Sequence, residues 1–244
     1  MGRFLKHLKN TKASVIILKL MNKRAAFIIS LAAVLAYWGY VIAVTARTVP
    51  ELPATLTEIL LSIVKIKLIV IAVVIILLKL EGDKFDQLGF RKTGQLKQIL
   101  FGIGFGFATW IIINIVINPL LASVNPSPKP TSDILAFMKD PRNLLWWIPV
   151  VTLAAFAEEL QRIFVLTRFQ KWFGKYGLYI AIVITSIIFG IGHLYQGTNL
   201  AIGTGIGGFL NALVFLRKRS AWEVIICHAV FNILSVVGAL FFGA

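Results

Sequence analysis

Residues 144–166, LLWWIPVVTLAAFAEELQRIFVL, decide how this chain is read. The run is long enough to cross the hydrocarbon core of a bilayer, which takes roughly 20 apolar residues at about 1.5 Å each. Yet Glu158, Glu159 and Arg162 stand inside it. An ionisable side chain at membrane depth costs about 2.5–3.5 kcal/mol on insertion scales, so such residues point to function. On a helix Arg162 lies four residues after Glu158 and three after Glu159, within reach of either. One guanidinium leaves one of the two carboxylates without a counter-charge. That is a condition in which a carboxylate can serve as general base.

The rest of the chain agrees with a membrane setting. Of its 244 residues 58% are hydrophobic and only 14% charged, against roughly a quarter charged in a soluble domain. Mean hydropathy is +0.86, and the apolar residues come in long blocks. This argues against a soluble enzyme, a disordered chain or a coiled coil. Seven spans are expected, at about 25–45, 59–79, 99–122, 144–166, 178–195, 199–216 and 221–243. The second contains Lys65 and Lys67, read as snorkelling from near one end. The expected class is all-α, a polytopic transmembrane bundle of about seven spans with a polar site inside. Two regions are expected: a basic interfacial segment, 1–24, and a single transmembrane domain, 25–243, with its functional core at 144–235. Within the first, residues 13–20 (ASVIILKL) are too short to span and read as interfacial.

The net charge of +15 comes from 25 Lys and Arg against 10 Asp and Glu. It does not call for nucleic acid, because the cations gather between the apolar blocks. The N-terminus, the 80–98 loop, the 167–177 stretch and the Arg217-Lys218-Arg219 turn all fall on one side of a seven-span chain. That pattern places the N-terminus in the cytoplasm of an integral membrane protein, with a prokaryotic plasma membrane expected. The 123–143 stretch, with Pro126, Pro128, Pro130 and Pro141, reads as a loop. A single cysteine, Cys227, rules out an intrachain disulfide.

Other apolar spans carry polar residues too. His193 closes TSIIFGIGH, with Phe189 four residues before it. His228 and Asn232, in IICHAVFNIL, share a helix face. Each alone reads as a packing or clamp residue. Together, two carboxylates, two imidazoles and an amide from three spans form a hydrolytic set. It holds a base for water, acids for a leaving amine and donors for an oxyanion. Gly203, Gly205 and Gly208 fit a G-x-G-x-x-G pattern but follow no strand, so they read as close-packing positions. Trp146, Trp147 and Trp222 read as interfacial belt residues. Glu223 reads as an ion-pair partner of the basic turn. The competing readings are a proton- or ion-coupled transporter and a non-catalytic immunity or scaffold protein.

EELQR (158–162), FGIGH (189–193) and HAVFN (228–232) resemble, in order, the three motifs of the CPBP family of intramembrane proteases. This is also called the CAAX-protease or bacteriocin-processing family. The family usually has three residues between its Glu pair and its Arg; here there are two. The resemblance covers about 144–235 and implies an intramembrane endopeptidase cutting a peptide near the cytoplasmic leaflet. Prenylated or leader peptides are the implied substrates, and the lipid bilayer is the partner. It implies that Glu158 activates water with His193, that His228 and Asn232 hold the oxyanion or the water, and that Glu159 and Arg162 support the site. Glu158, His193 and His228 are also candidate zinc ligands. A metal-free glutamate mechanism uses the same residues and is preferred, and no other cofactor is implied.

Overall fold

The computed structural model describes residues 12–46, 55–126 and 137–242, and among them every regular element is helical. The expected basic segment lies outside the described residues up to residue 11. So do residues 127–136 of the proline-rich loop. Helix α1, Lys12–Ala46, takes up residues 13–20, which continue into the first span rather than lying apart.

Helix α2, Leu56–Glu81, is rich in Ile and Val yet helical, because a chain in lipid must close its backbone hydrogen bonds within the segment. Thr55 starts it with a reciprocal cap. Its Oγ1 accepts from Glu58 N at 3.3 Å, and Glu58 Oε2 accepts from Thr55 N at 3.1 Å. Gly82, at φ 70°, ends it in the left-handed conformation. Helix α3, Gln95–Ile111, runs through a π-helical stretch, Ile112–Ile117, into α4, Asn118–Val124.

Helix α5, Leu144–Ile191, runs on through the stretch expected between the fourth and fifth spans. A straight helix of 48 residues would be about 72 Å long, more than twice the roughly 30 Å core. Gly174 breaks it, at φ 66° and ψ −154°. Arg162 lies over the Phe189 ring at 4.3 Å, which is possible only if the chain reverses between them. α5 is thus a hairpin of two limbs, 144–173 and 175–191, that carry the expected fourth and fifth spans. Gly177 packs inside the bend, where a Cβ would lie 2.5 Å from Phe169 O. Helices α6, Thr198–Lys218, and α7, Ala221–Phe242, complete the bundle. Six helices among the described residues are long and apolar enough to cross a membrane, and the doubled α5 brings this close to the seven spans expected.

Small residues set the closest helix contacts. A Cβ on Gly102 would meet Ile226 Cβ at 2.7 Å, and one on Gly106 would meet Val230 Cβ at 2.7 Å, so α3 lies directly on α7. Gly190 and Gly205 let the second limb of α5 cross α6, as expected for the 203–208 glycines. The main core joins Trp38, Leu78, Leu160, Phe164, Ile182 and Phe215. Leu68, Ile76, Ile115 and Ile180 are exposed and face outward, the arrangement of a bundle whose solvent is lipid.

Trp147 departs from its expected place. It is 1% exposed and packs with Ile59 and Val236, whereas Trp146 is outward. Glu223 pairs with Arg217 at 2.9 Å as expected, but from a buried position.

Candidate active site

The first limb of α5 carries Glu158 and Glu159 toward different neighbours. Glu159 is fully buried. Its Oε1 accepts from Arg162 Nη1 at 2.6 Å, His228 Nδ1 at 2.8 Å and Asn211 Nδ2 at 2.9 Å. Arg162 therefore serves Glu159, three residues back, and not Glu158. The guanidinium is clamped between that carboxylate and the Phe189 ring. Gly208 leaves it room, since a Cβ there would lie 3.1 Å from Arg162 Nη2 and 2.9 Å from Phe189 Cδ1.

Glu158 is not left without a counter-charge, contrary to the arithmetic of one Arg for two Glu. Lys67 of α2 reaches its Oε1 at 2.5 Å. Lys67 does not snorkel outward; its side chain is 19% exposed and turned into the bundle. The two carboxylates and two cations balance within a small volume. The other oxygen of Glu158, Oε2, faces His228 Nε2 at 3.6 Å. That is too long for a direct hydrogen bond and suits one bridged by water.

His193 sits just past the end of α5, where Gly192 closes the helix. Its Nδ1 is 2.8 Å from Phe189 O. A carbonyl only accepts, so Nδ1 carries a proton, and in the neutral ring Nε2 is left as the acceptor. The same logic applies to His228, whose Nδ1 meets the Glu159 carboxylate. Phe189 touches both imidazoles, with ring centroids 4.6 Å from His193 and 5.7 Å from His228. Sequence spacing alone leaves His193 well deeper than Glu158. Extension of the first limb to residue 173 closes most of that gap. Glu158, with 15 residues to the bend, and His193, 18 residues past Lys175, stand roughly 23 and 27 Å from it at 1.5 Å per residue.

A cavity of about 290 Å³ opens onto this arrangement, and its wall includes Tyr37, Lys67, Glu158, Gln161, His193 and Tyr195. Glu159, His228 and Asn232 are not part of that wall. Asn232 donates to Val151 O at 3.3 Å, two turns before Glu158, and so ties α7 to α5. Sequence reading missed Lys67 and Asn211 as site residues. Each is a polar group within an apolar span, the signal that singled out the Glu pair.

The candidate zinc ligands Glu158, His193 and His228 are not grouped as a metal site among the described residues. Glu158 already holds a cation, and Glu159 Oε1 has three donors. Among the described residues no group of three or more His, Cys, Asp or Glu is placed to hold a metal.

Residues 140–234 match the family model of the type II CAAX prenyl endopeptidases, Rce1-like. The match takes in α5, α6 and most of α7, agrees with the resemblance to the CPBP proteases, and indicates a protease. Lys67 lies outside it. No curated protein and no solved structure matches the chain.

Proposed function

Taking residues 140–234 as a Rce1-like segment, we propose that the chain is a glutamate-dependent intramembrane endopeptidase. It cleaves a prenylated or leader peptide near the cytoplasmic leaflet. The observation that carries this reading is the 3.6 Å gap between Glu158 Oε2 and His228 Nε2 beside the cavity. Both atoms accept protons when His228 is neutral. A water between them donates one hydrogen to each and turns its lone pairs to the substrate. Glu159 fixes the His228 ring through Nδ1, the role a carboxylate takes behind a catalytic imidazole.

The reaction then balances within the cavity. The water O–H bond breaks and its proton passes to Glu158 Oε2. A C–O bond forms at the scissile carbonyl, whose π pair moves onto oxygen. When the intermediate collapses the C–N bond breaks, and Glu158 returns the proton to the departing amine. His193, on the cavity wall, accepts a hydrogen bond from the substrate backbone. Arg162, Asn211 and Asn232 are positioning residues.

The test is cleavage in proteoliposomes of a fluorogenic peptide carrying an S-prenyl cysteine or a leader sequence. Wild-type protein cleaves it, and Glu158→Gln, His193→Ala and His228→Ala do not, although each still inserts. Full activity in Glu158→Gln overturns the reading. So does pH-driven flux of a solute by wild-type protein with no cleavage of any peptide.

A further inference from the structure

We infer that Lys67 is a catalytic residue of this site: counter-ion first to Glu158, and then to the oxyanion that replaces the Glu158 charge. The inference rests on the reading of Glu158 as base. It brings into the chemistry a helix that lies outside the matched segment.

Three observations carry it. Lys67 Nζ is 2.5 Å from Glu158 Oε1, across 91 residues of sequence. A lysine tolerated in lipid turns its ammonium toward the headgroups, whereas this one lies on the cavity wall with His193 and Tyr195. Among the described residues Glu158 is also the single carboxylate within ion-pair distance of it.

The charge movement gives Lys67 its second role. Before reaction the negative charge sits on Glu158. As the proton of water reaches Oε2, Glu158 becomes neutral, and in the same step the carbonyl oxygen becomes negative. Total charge is unchanged; its place has shifted from one side of the cavity wall to the bound peptide. Several donors nearby are committed. Arg162 Nη1 is on Glu159, Asn232 Nδ2 is on Val151 O, and each imidazole N–H has its acceptor. An ammonium has three N–H bonds, of which Glu158 takes one. Lys67 thus keeps hydrogens to offer the oxyanion without leaving its place, which is the preorganisation such a site requires.

The experiment compares wild type, Lys67→Met and Lys67→Arg in proteoliposomes with the S-prenyl fluorogenic peptide. Each variant is first shown to be folded by size exclusion in detergent. Lys67→Met should lose about 10²–10³-fold in kcat, the usual loss for one oxyanion donor, with KM within about threefold of wild type. Lys67→Arg should recover part of the loss. A phosphinate analogue of the same peptide, tetrahedral and anionic at the scissile position, should bind Lys67→Met more weakly by the factor lost in kcat/KM. An uncleavable amide analogue should bind both alike. A lysine that only neutralises Glu158 for insertion would lower the yield and melting temperature but leave kcat per folded molecule and phosphinate affinity unchanged. That result, with Glu158→Gln inactive, overturns the Lys67 role alone. Should Lys67→Met not fold, Lys67→Gln takes its place with the same two outcomes. A wild-type protein that cleaves neither prenylated nor leader peptide overturns both readings.

Discussion

Two clusters on α5 are made of the same parts and behave differently. Glu158 and Glu159 meet Lys67 and Arg162 inside the bundle. One limb end away, Glu81 and Asp83 meet Arg168 and Lys171. Each cluster has two acids, one arginine and one lysine, and each fastens α2 to α5. In the outer cluster the cations are shared. Arg168 reaches Glu81 at 2.7 Å and also pairs with Asp83, while Lys171 reaches Asp83 at 2.7 Å and Glu81 at 3.2 Å. Ser30 adds a further donor to Glu81 at 2.7 Å. In the inner cluster each acid has its own cation, and a histidine stands between the acids. Shared cations saturate carboxylates and make a clasp. Separate cations keep the charges balanced yet leave an oxygen of Glu158 for the proton step of the proposed mechanism.

The largest test of this contrast is Glu158→Gln, expected to lower kcat by about 10³-fold or more, about 4 kcal/mol of barrier. A fluorescence cleavage assay reads it, and melting in detergent should show a well-folded protein. Glu159→Gln comes next. It strands Arg162 in the interior, so about 3–5 kcal/mol of stability is expected to go, together with the orientation of His228. Arg168→Met, in the clasp, should cost less, about 1–3 kcal/mol, because Lys171 still reaches both acids. Its kcat per folded molecule should stay at the wild-type level. If Arg168→Met silences cleavage as Glu159→Gln does, the two clusters are one functional unit and the contrast fails.

Gly208→Ala probes the packing that serves only the inner cluster. The new Cβ would press on Phe189 and Arg162, so about 1–3 kcal/mol of destabilisation is expected, with some loss of activity. The smallest effect concerns pH. Burial alone would raise the Asp83 pKa, but hydrogen bonds and charge from Lys171 and Arg168 outweigh it and hold the pKa below its ordinary value. The stability this adds is complete above the usual carboxylate range, about pH 4 to 5, and fades as pH falls through the lowered value. Melting temperature should drop on acidification in that window, and Asp83→Asn should flatten the drop. An unchanged slope would remove Asp83 from the clasp's charge balance.

Much of the fold was legible because lipid forces long apolar runs into helices, and the motif residues stood out by being ionisable in such runs. The partners of those residues were harder to read. Arg162 at i+3 and i+4 satisfies either Glu on paper; Asn211 and His228, brought by α6 and α7, select Glu159. Lys67 looked like a residue near a span end, and nothing in 59–79 says which face of α2 meets α5. The reversal at Gly174 falls in the 167–177 stretch expected between two spans; FGKYG, with two glycines, does not announce that the turn is made with almost no loop. Trp147 looked interfacial because the sequence cannot tell which of two adjacent tryptophans turns inward.

The bend at Gly174 also orders the assembly of the bundle. Its limbs follow one another in synthesis and are joined by almost no loop, so closing them costs little chain entropy. The Glu pair and the Phe189–His193 limb can therefore meet as a unit soon after they leave the ribosome. His228 arrives later, on the last helix. Until α7 docks, the Glu159 carboxylate lacks its imidazole, so the proposed site is incomplete until the chain's final described helix is in place.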